Sequence, residues 1–544
     1  MGPERAGSRY DVNGHPVDVL VVGAGPTGLA LALEAHDHGA RVRILERRAE
    51  FFRPSRAMMM HPRTLELLRP LGVTDALLDR GLSSVSAHVH FGSRVVVVNS
   101  DSLDLRNTAF RHLLLIRQTD VEDVLGRALV ERGIRVERGS EVVELQRRGG
   151  HRAVVHRGDE VEEIAFRFLV GSDGADGLIR SYVGGWHGKE YRQEVILADL
   201  EIRGEEALQP GAAHVVAGRR GLLFLFPIGE VAPWRLLATR PVGVSGRWSE
   251  PAEPVPRDEL QALVDDAKLP IAISEVGWSR TIRLQHRIAS RFRRGPIFIA
   301  GDAAHAHSPA GGQGMNMGIH DAVNLGWKLA FAAQADGTLP ELVDSYHRER
   351  RPADRRVLWL THVIFWAEAS NHPLAEFARA VLAPRGAPFI PWMTRRRSLM
   401  HLVARTLAQF RVHYPRSPLA VGRGLPRLAA RQSVWRTRAG ARVPDIPVVC
   451  DGVPVLLHSL LATPGVHVLL ERNSDNIDQR LGGPFVTVHR LSDQQGAGVM
   501  IARPDGHVGY RSNVVDHRDL ERWFRMAGVP PGTGSRTRIG LSSR

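Results

Sequence analysis

The sequence predicts an α/β fold. A strand–turn–helix–strand unit opens the chain, a β-sheet unit is inserted into it, and a smaller strand-rich unit closes it. Three stretches carry that reading. The first is Val19-Leu20-Val21-Val22-Gly23-Ala24-Gly25-Pro26-Thr27-Gly28, an apolar run meeting closely spaced glycines, with a second apolar run ending at Glu46. The second is Phe168-Leu169-Val170-Gly171-Ser172-Asp173-Gly174, a buried strand that stops at a turn. The third spans residues 295–329. There an apolar strand over 297–300 is closed by Gly301 and Asp302, and a Gly- and Pro-rich loop follows. A helix over 315–329 is then apolar nearly all round, as a buried helix is.

Composition sets the outer limits. The 544 residues exceed one hydrophobic core, so two or three domains are expected. An apolar content of 43% with 24% charged residues is that of a soluble globular protein. Residues 1–17 are polar and do not read as a signal peptide. The apolar run 17–35 approaches membrane-spanning length. Its Gly23, Gly25, Pro26 and Gly28 divide it into strand, turn and buried helix, so no membrane partner is expected. The single cysteine, Cys450, excludes an internal disulfide and suits a reducing cytoplasm. The net charge of +14 is carried by arginine, since Lys189, Lys268 and Lys328 are the only lysines. That bias reads as the coding preference of a GC-rich genome. No recognition module accompanies it, which argues against a nucleic-acid partner. The positive field still attracts an anionic reductant or substrate.

In chain order, 1–15 is a loose extension and 17–48 is a Rossmann-like strand, turn, helix and strand. Gly23, Gly25 and Gly28 permit the tight turn, close approach of backbone to a pyrophosphate, and packing of helix on strand. Pro26 and Thr27 lie inside that turn. Glu46, with Arg47 beside it, sits near the ~20-residue offset of a ribose-binding acid. The motif alone does not choose between FAD and NAD. Residues 53–71 hold Ser55-Arg56-Ala57 and a helical stretch at 63–68. Residues 83–109 alternate like strands and read as a first excursion into the inserted sheet. Residues 113–129 carry Arg117-Gln118-Thr119-Asp120 and then a helix that Thr119 or Asp120 would cap. A β-meander over 135–170 leads into Asp173. Strand-like runs at 194–202, 214–216, 222–227 and 235–239 precede a helix at 257–267. Residues 342–431 are mostly helical. Short strands between 448 and 511 are followed by a closing helix at about 519–526. In the third stretch the helix N-terminus leaves a glycine-lined loop, with free N–H groups ready for an anion or an electron-rich ring edge.

The three motifs, in this order and spacing, resemble the FAD-dependent aromatic hydroxylases of the para-hydroxybenzoate hydroxylase and phenol hydroxylase type. The resemblance implies FAD held by Gly23, Gly25, Pro26, Thr27, Gly28, Glu46 and Arg47, with Gln118 and Asp173 also against it. Asp302 would bind the ribityl chain. Gly312, Gly314, Met315 and Asn316 would meet the flavin pyrimidine edge. Arg56 would contact the isoalloxazine and steady a peroxide, and Pro309 would face the peroxide side. The implied cycle has NADPH or NADH reduce FAD, O2 form a flavin C4a-hydroperoxide, and the distal oxygen pass to a phenolic or polycyclic, polyketide-type aromatic. The base that activates the phenol is not identified by the sequence.

The resemblance also implies a layout. Residues 1–82, 107–190 and 283–395 would form the FAD-binding domain. Residues 83–106 and 191–282 would form a substrate-binding sheet over the flavin, with His214, Phe224, Phe226, Trp234 and Arg235 as pocket candidates. Residues 396–544 would be a helical linker and a thioredoxin-like domain, most recognisable at Ala502-Arg503-Pro504-Asp505-Gly506-His507-Val508. That domain lacks CxxC, so an interface or scaffold role is expected of it. One departure stands out: Gly177 occupies the position of the family's serine after Asp173-Gly174. No HExxH or paired CxxC occurs, and His305 and His307 read as loop-packing residues, so no metal is expected. Rival readings are Baeyer–Villiger insertion on the same fold, drug-inactivating hydroxylation, a non-catalytic FAD- or NAD-binding module, and a nucleic-acid binder. The Trp-x-Trp-x-Ile-Pro motif of flavin halogenases is absent. A monomer or homodimer is expected.

Overall fold

The computed structural model describes residues 16–530 apart from 51–56, 84, 92–93, 99–104, 148–149, 205, 207, 210, 219–220, 242–253, 336, 370–376, 378–384, 386–401, 403, 425–433, 478–481 and 494–495. Among the described residues the chain builds three large sheets. In the first, Val17–Val22 runs parallel between Val42–Glu46 and Glu160–Gly171, and Ile297–Ile299 joins parallel to the latter. Sheets of this kind are covered on both faces, which explains the continuous apolar runs. Helix Pro26–Asp37 packs against helix Gln313–Gln334. Gly326 permits the close crossing: a Cβ there would lie 2.7 Å from Glu34 Cγ. The second helix starts two residues before the expected 315 and ends five after 329.

The second sheet runs in the order His305–Ala306, Ala272–Ala289, Trp186–Arg203, Trp234–Pro241, Gly221–Phe226, Ala213–Gly218, Ala87–Phe91 and Arg94–Val98. The expected strands are present. Trp186–Arg203 and Ala272–Ala289, the latter not expected from the sequence, are each 18 residues long and stay paired through several register shifts. Successive side chains alternate between the faces. On one face Ile196, Leu225, Leu236 and Ile273 pack with Leu260 of helix Arg257–Asp266. On the other, Val195, Leu197, Phe226, Leu237 and Leu284 pack with Phe365. Helix Gln118–Glu131 begins without the expected side-chain cap. Asp120 instead binds Arg117 Nε at 2.6 Å, and the Thr119 hydroxyl donates to Glu230 at 3.0 Å.

In the third sheet, Val466–Glu471 lies parallel to Val486–Leu491 and antiparallel to Val499–Ala502, which pairs in turn with Val508–Ser512. The closing helix is His517–Ala527. Asp516 caps it, accepting from the Arg518 and Asp519 amides, and Leu520, Trp523 and Phe524 are buried. This sheet meets the first unit through a shared apolar core, which includes Trp327, Val468 and Tyr510, and through buried charge. Glu349 accepts from Lys328 Nζ at 2.7 Å and from Arg503 at 2.7 and 2.8 Å, and Arg503 also binds Asp505.

Candidate active site

Three turns converge at the ends of the first sheet. The chain turns at Gly23, where φ is 102° and a Cβ would overlap the Ser172 carbonyl. Gly25 caps the next helix without any side-chain bond, so its first N–H groups stay available. Gly28 acts by packing, since a Cβ there would overlap the Gly23 carbonyl. Glu46 Oε2 accepts from the Ala24 amide at 2.9 Å and Oε1 from the Arg48 amide at 3.0 Å. The second turn locks onto the first: Ser172 Oγ reaches the Val22 and Gly23 carbonyls at 3.0 and 2.9 Å. Asp173 Oδ2 accepts from the Ile179 amide at 3.0 Å, while Oδ1 is buried with no partner among the described residues. Burial pushes the pKa of this carboxyl up. Any Cβ at Gly177 would fall on that carboxylate, so the family's serine would require a different Asp173 rotamer.

The third turn carries Asp302 between Gly301 and the loop. Gly301 has φ 62°, and a Cβ on it would lie 2.5 Å from Thr27 Oγ1. Gly311 and Gly312 both adopt left-handed φ, 71° and 61°. Gly312 then caps helix Gln313–Gln334 with no side-chain bond, which leaves a positive dipole end and unused N–H groups.

The three turns border one cavity of about 1870 Å³, lined also by Gln118, Pro309, Gly314 and Met315. Ordinary small-molecule sites measure roughly 300–1,000 Å³. This volume suits a dinucleotide together with a second ligand. The opposite wall comes from the second sheet: Phe224 and Phe226 stack with their ring planes 3° apart, beside Leu237, Trp278 and Phe365. Glycines that a Cβ would block, uncapped helix ends and an orphaned buried carboxylate oxygen fit a bound phosphate-bearing dinucleotide.

The family model described as "FAD binding domain" matches residues 16–361. The chain belongs to this family. It is 33% identical over 525 residues to the 6-methylpretetramide 4-monooxygenase of Streptomyces rimosus, covering 94% of this chain and 88% of that one. It is 31% identical to the anhydrotetracycline monooxygenase of the same organism, over 93% and 98% of the two chains. The solved anhydrotetracycline hydroxylase OxyS from Streptomyces rimosus superposes with a TM-score of 0.74 at 26% identity, over 95% of this chain and all of that one. The protein is therefore a flavoprotein monooxygenase of the aromatic hydroxylase type.

FAD is the dinucleotide of this family, and most of the residues that the resemblance sets against it can be located on the cavity. Gly23, Gly25, Pro26, Thr27, Glu46, Arg47, Gln118, Asp173, Asp302, Pro309, Gly312, Gly314 and Met315 all line it, as do Phe224 and Phe226. Arg56 lies outside the described residues. The Asn316 side chain is turned inward: Oδ1 accepts from the His61 amide and Thr64 Oγ1, and Nδ2 donates to the Met59 and Gly312 carbonyls.

Three of the pocket candidates do not line the cavity. His214 pairs with Leu225, so it shares the outer face, not that of Phe224 and Phe226. There it lies 3.1 Å from His90, and burial with the neighbouring histidines lowers its pKa to about 4. Trp234 belongs to the same outer core. Arg235 is fully buried, bound to Asp199 at 2.6 and 2.8 Å. The sequence reading missed Leu237 and Trp278. Leu237 pairs directly with Phe224, and strand register was the signal that would have found it. His305, expected to pack the loop, is buried against Asp321 and Asp354. Arg350 binds both carboxylates and supplies the countercharge a metal ion would bring.

Proposed function

We propose that the protein hydroxylates a polycyclic phenolic substrate of the aromatic polyketide type, with NADPH or NADH as the electron source. The observation that carries this reading is the single cavity joining the dinucleotide turns to the apolar wall of the second sheet. The printed substrates of the two monooxygenase relatives support the substrate class. Bound FAD, once reduced, supplies activated dioxygen to the aromatic ring.

The chain's residues bind and orient. The glycine turn, Glu46 and Arg47 hold the dinucleotide, and Asp173 and Gln118 lie against it. Asp302 accepts hydrogen bonds from the polyol. The unused N–H groups at Gly314 and Met315 meet the electron-rich pyrimidine edge and stabilise negative charge there. Asn316 acts on the same edge through the four bonds that hold the helix start. Pro309 borders the oxygen side, and Arg56 is retained as its positive partner. Phe224, Phe226, Leu237 and Trp278 exclude water from the reacting ring.

In this reading residues 1–82, 107–190 and 283–395 bind FAD, while 83–106 and 191–282 form the substrate-binding sheet. Residues 396–544 supply a linker and a thioredoxin-like scaffold, a view supported by the mixed order of the third sheet. The enzyme works in the cytoplasm as a monomer or homodimer.

Three measurements test the reading. Anaerobic NADPH should bleach the flavin spectrum faster in the presence of a polyphenolic ligand, and product analysis should show a hydroxylated ring. A ring-expanded ester would instead assign oxygen insertion. Asp302→Ala should purify without FAD; retention of a full complement would overturn the residue map.

A further inference from the structure

The Asp302 turn is held from behind by charges that the binding roles above leave unused. The Gly301 amide donates to Asp321 Oδ2 at 3.0 Å, and the same oxygen accepts from His305 Nε2 at 2.7 Å. The other Asp321 oxygen accepts from Arg350 Nε at 2.7 Å. Arg350 also donates to Asp354 at 2.6 Å and to the Tyr414 hydroxyl at 3.2 Å. Asp354 Oδ2 has no hydrogen bond among the described residues and lies 3.7 Å from His305 Nε2. All four charged side chains are at most 1% exposed. Burying so many charges is a poor way to gain stability, because desolvation offsets the pairing. Their location, one peptide from Asp302, suggests another use.

We propose that Asp321 and His305 are positioning residues for the bound flavin dinucleotide: the Asp321 carboxylate, oriented by His305 and Arg350, fixes the Gly301 amide and thereby aims Asp302 into the cavity. The proposal rests on the FAD reading of the site. The turn must be a glycine, because a Cβ on Gly301 would lie 2.5 Å from Thr27 Oγ1. The three elements that meet here are helix Gln313–Gln334, helix Pro340–Ala369 and the loop itself, so the network sets their mutual position at the cavity floor.

The charge on His305 is part of the device. Burial opposes it, but Asp321 and Asp354 prevail and raise its pKa to about 8. Burial raises Asp354 to about 7, against the pull of Arg350. The other titratable or charged groups facing the network are His307, His320, Tyr346 and Tyr414. Since the His305 pKa is raised, its contribution is complete below about 6.5 and is lost as pH rises through about 8.

The test titrates apoprotein with FAD from pH 6.5 to 9.5, following flavin fluorescence, in the wild type, His305→Gln, His305→Leu and Asp321→Asn. Each variant's unfolding midpoint is measured alongside. The wild-type Kd should rise at least tenfold across the range. His305→Gln keeps a neutral donor, so its Kd should be flat with pH and close to the wild-type value at high pH. His305→Leu should bind at least tenfold more weakly than His305→Gln at every pH, and Asp321→Asn should also lose affinity. A wild-type pH profile in His305→Gln would overturn the proposal. So would losses of affinity that merely track the unfolding midpoints. Failure of wild-type apoprotein to bind FAD at any pH would instead remove the cofactor reading itself.

Discussion

Asn316 shows how much of the site depends on groups that do not line the cavity. Its four hydrogen bonds tie the start of helix Gln313–Gln334 to the His61 amide, Thr64, and the Met59 and Gly312 carbonyls. It is fully buried, so water cannot replace it. Asn316→Ala should leave a buried amide and two carbonyls short of partners and cost about 2–4 kcal/mol, as expected for several buried polar groups losing their partners together. Denaturant unfolding with and without FAD measures this. The loss should be larger in the holoprotein, because the helix end proposed to meet the flavin is displaced too. An equal loss in the two forms would confine Asn316 to a stability role.

Short helix Pro62–Leu68 transmits that arrangement to the rest of the chain. Thr64 bonds Asn316 from one side, while Glu66 accepts from Arg442 and Arg63, the latter also donating to the Asp505 carbonyl. Burial opposes the charge on Glu66, but Arg442, His458 and Arg63 overcome it and bring its pKa down to about 2. A depressed carboxylate contributes stability above its unfolded pKa of about 4.5 and loses it as pH falls toward 2. Arg442→Gln should therefore cost about 3 kcal/mol at neutral pH and flatten the acid limb of the stability curve between those values. Acid unfolding of the two proteins checks this; parallel curves would contradict it. Such a contact was invisible in the sequence, since its partners lie 376 positions apart. The three turns were legible for the opposite reason: parallel strands buried on both faces read as unbroken apolar runs, and the glycines answer local backbone demands. The cavity wall fell between these cases. Alternation located the strands, but only their pairing separates Leu237 and Phe224 from His214 and Trp234.

At the scale of the whole molecule, the third sheet is joined to the cofactor-binding unit by ionised groups buried on both sides. Glu349 gathers Lys328 and Arg503, Asn324 bonds both Glu349 and Asp505, and Arg503 returns to Asp505. Separating the units would strip each charge of its countercharge, so the two should open together rather than one at a time. FAD touches only the first unit in the proposed map. By linkage, however, it should make global opening of both less favourable, by about 2.7 kcal/mol at a hundredfold excess over Kd. Hydrogen exchange in Val499–Ala502 and Val508–Ser512 tests this directly. Their slowest amides should gain the same protection from FAD as those of Val17–Val22. Glu349→Gln weakens the junction and leaves Arg503 with less countercharge. In that variant the third sheet should exchange faster and lose its FAD-linked protection, while the first sheet keeps its own. Undiminished FAD protection of the third sheet in the variant would show that apolar packing, including Trp327 and Tyr510 in the shared core, couples the units without the charges.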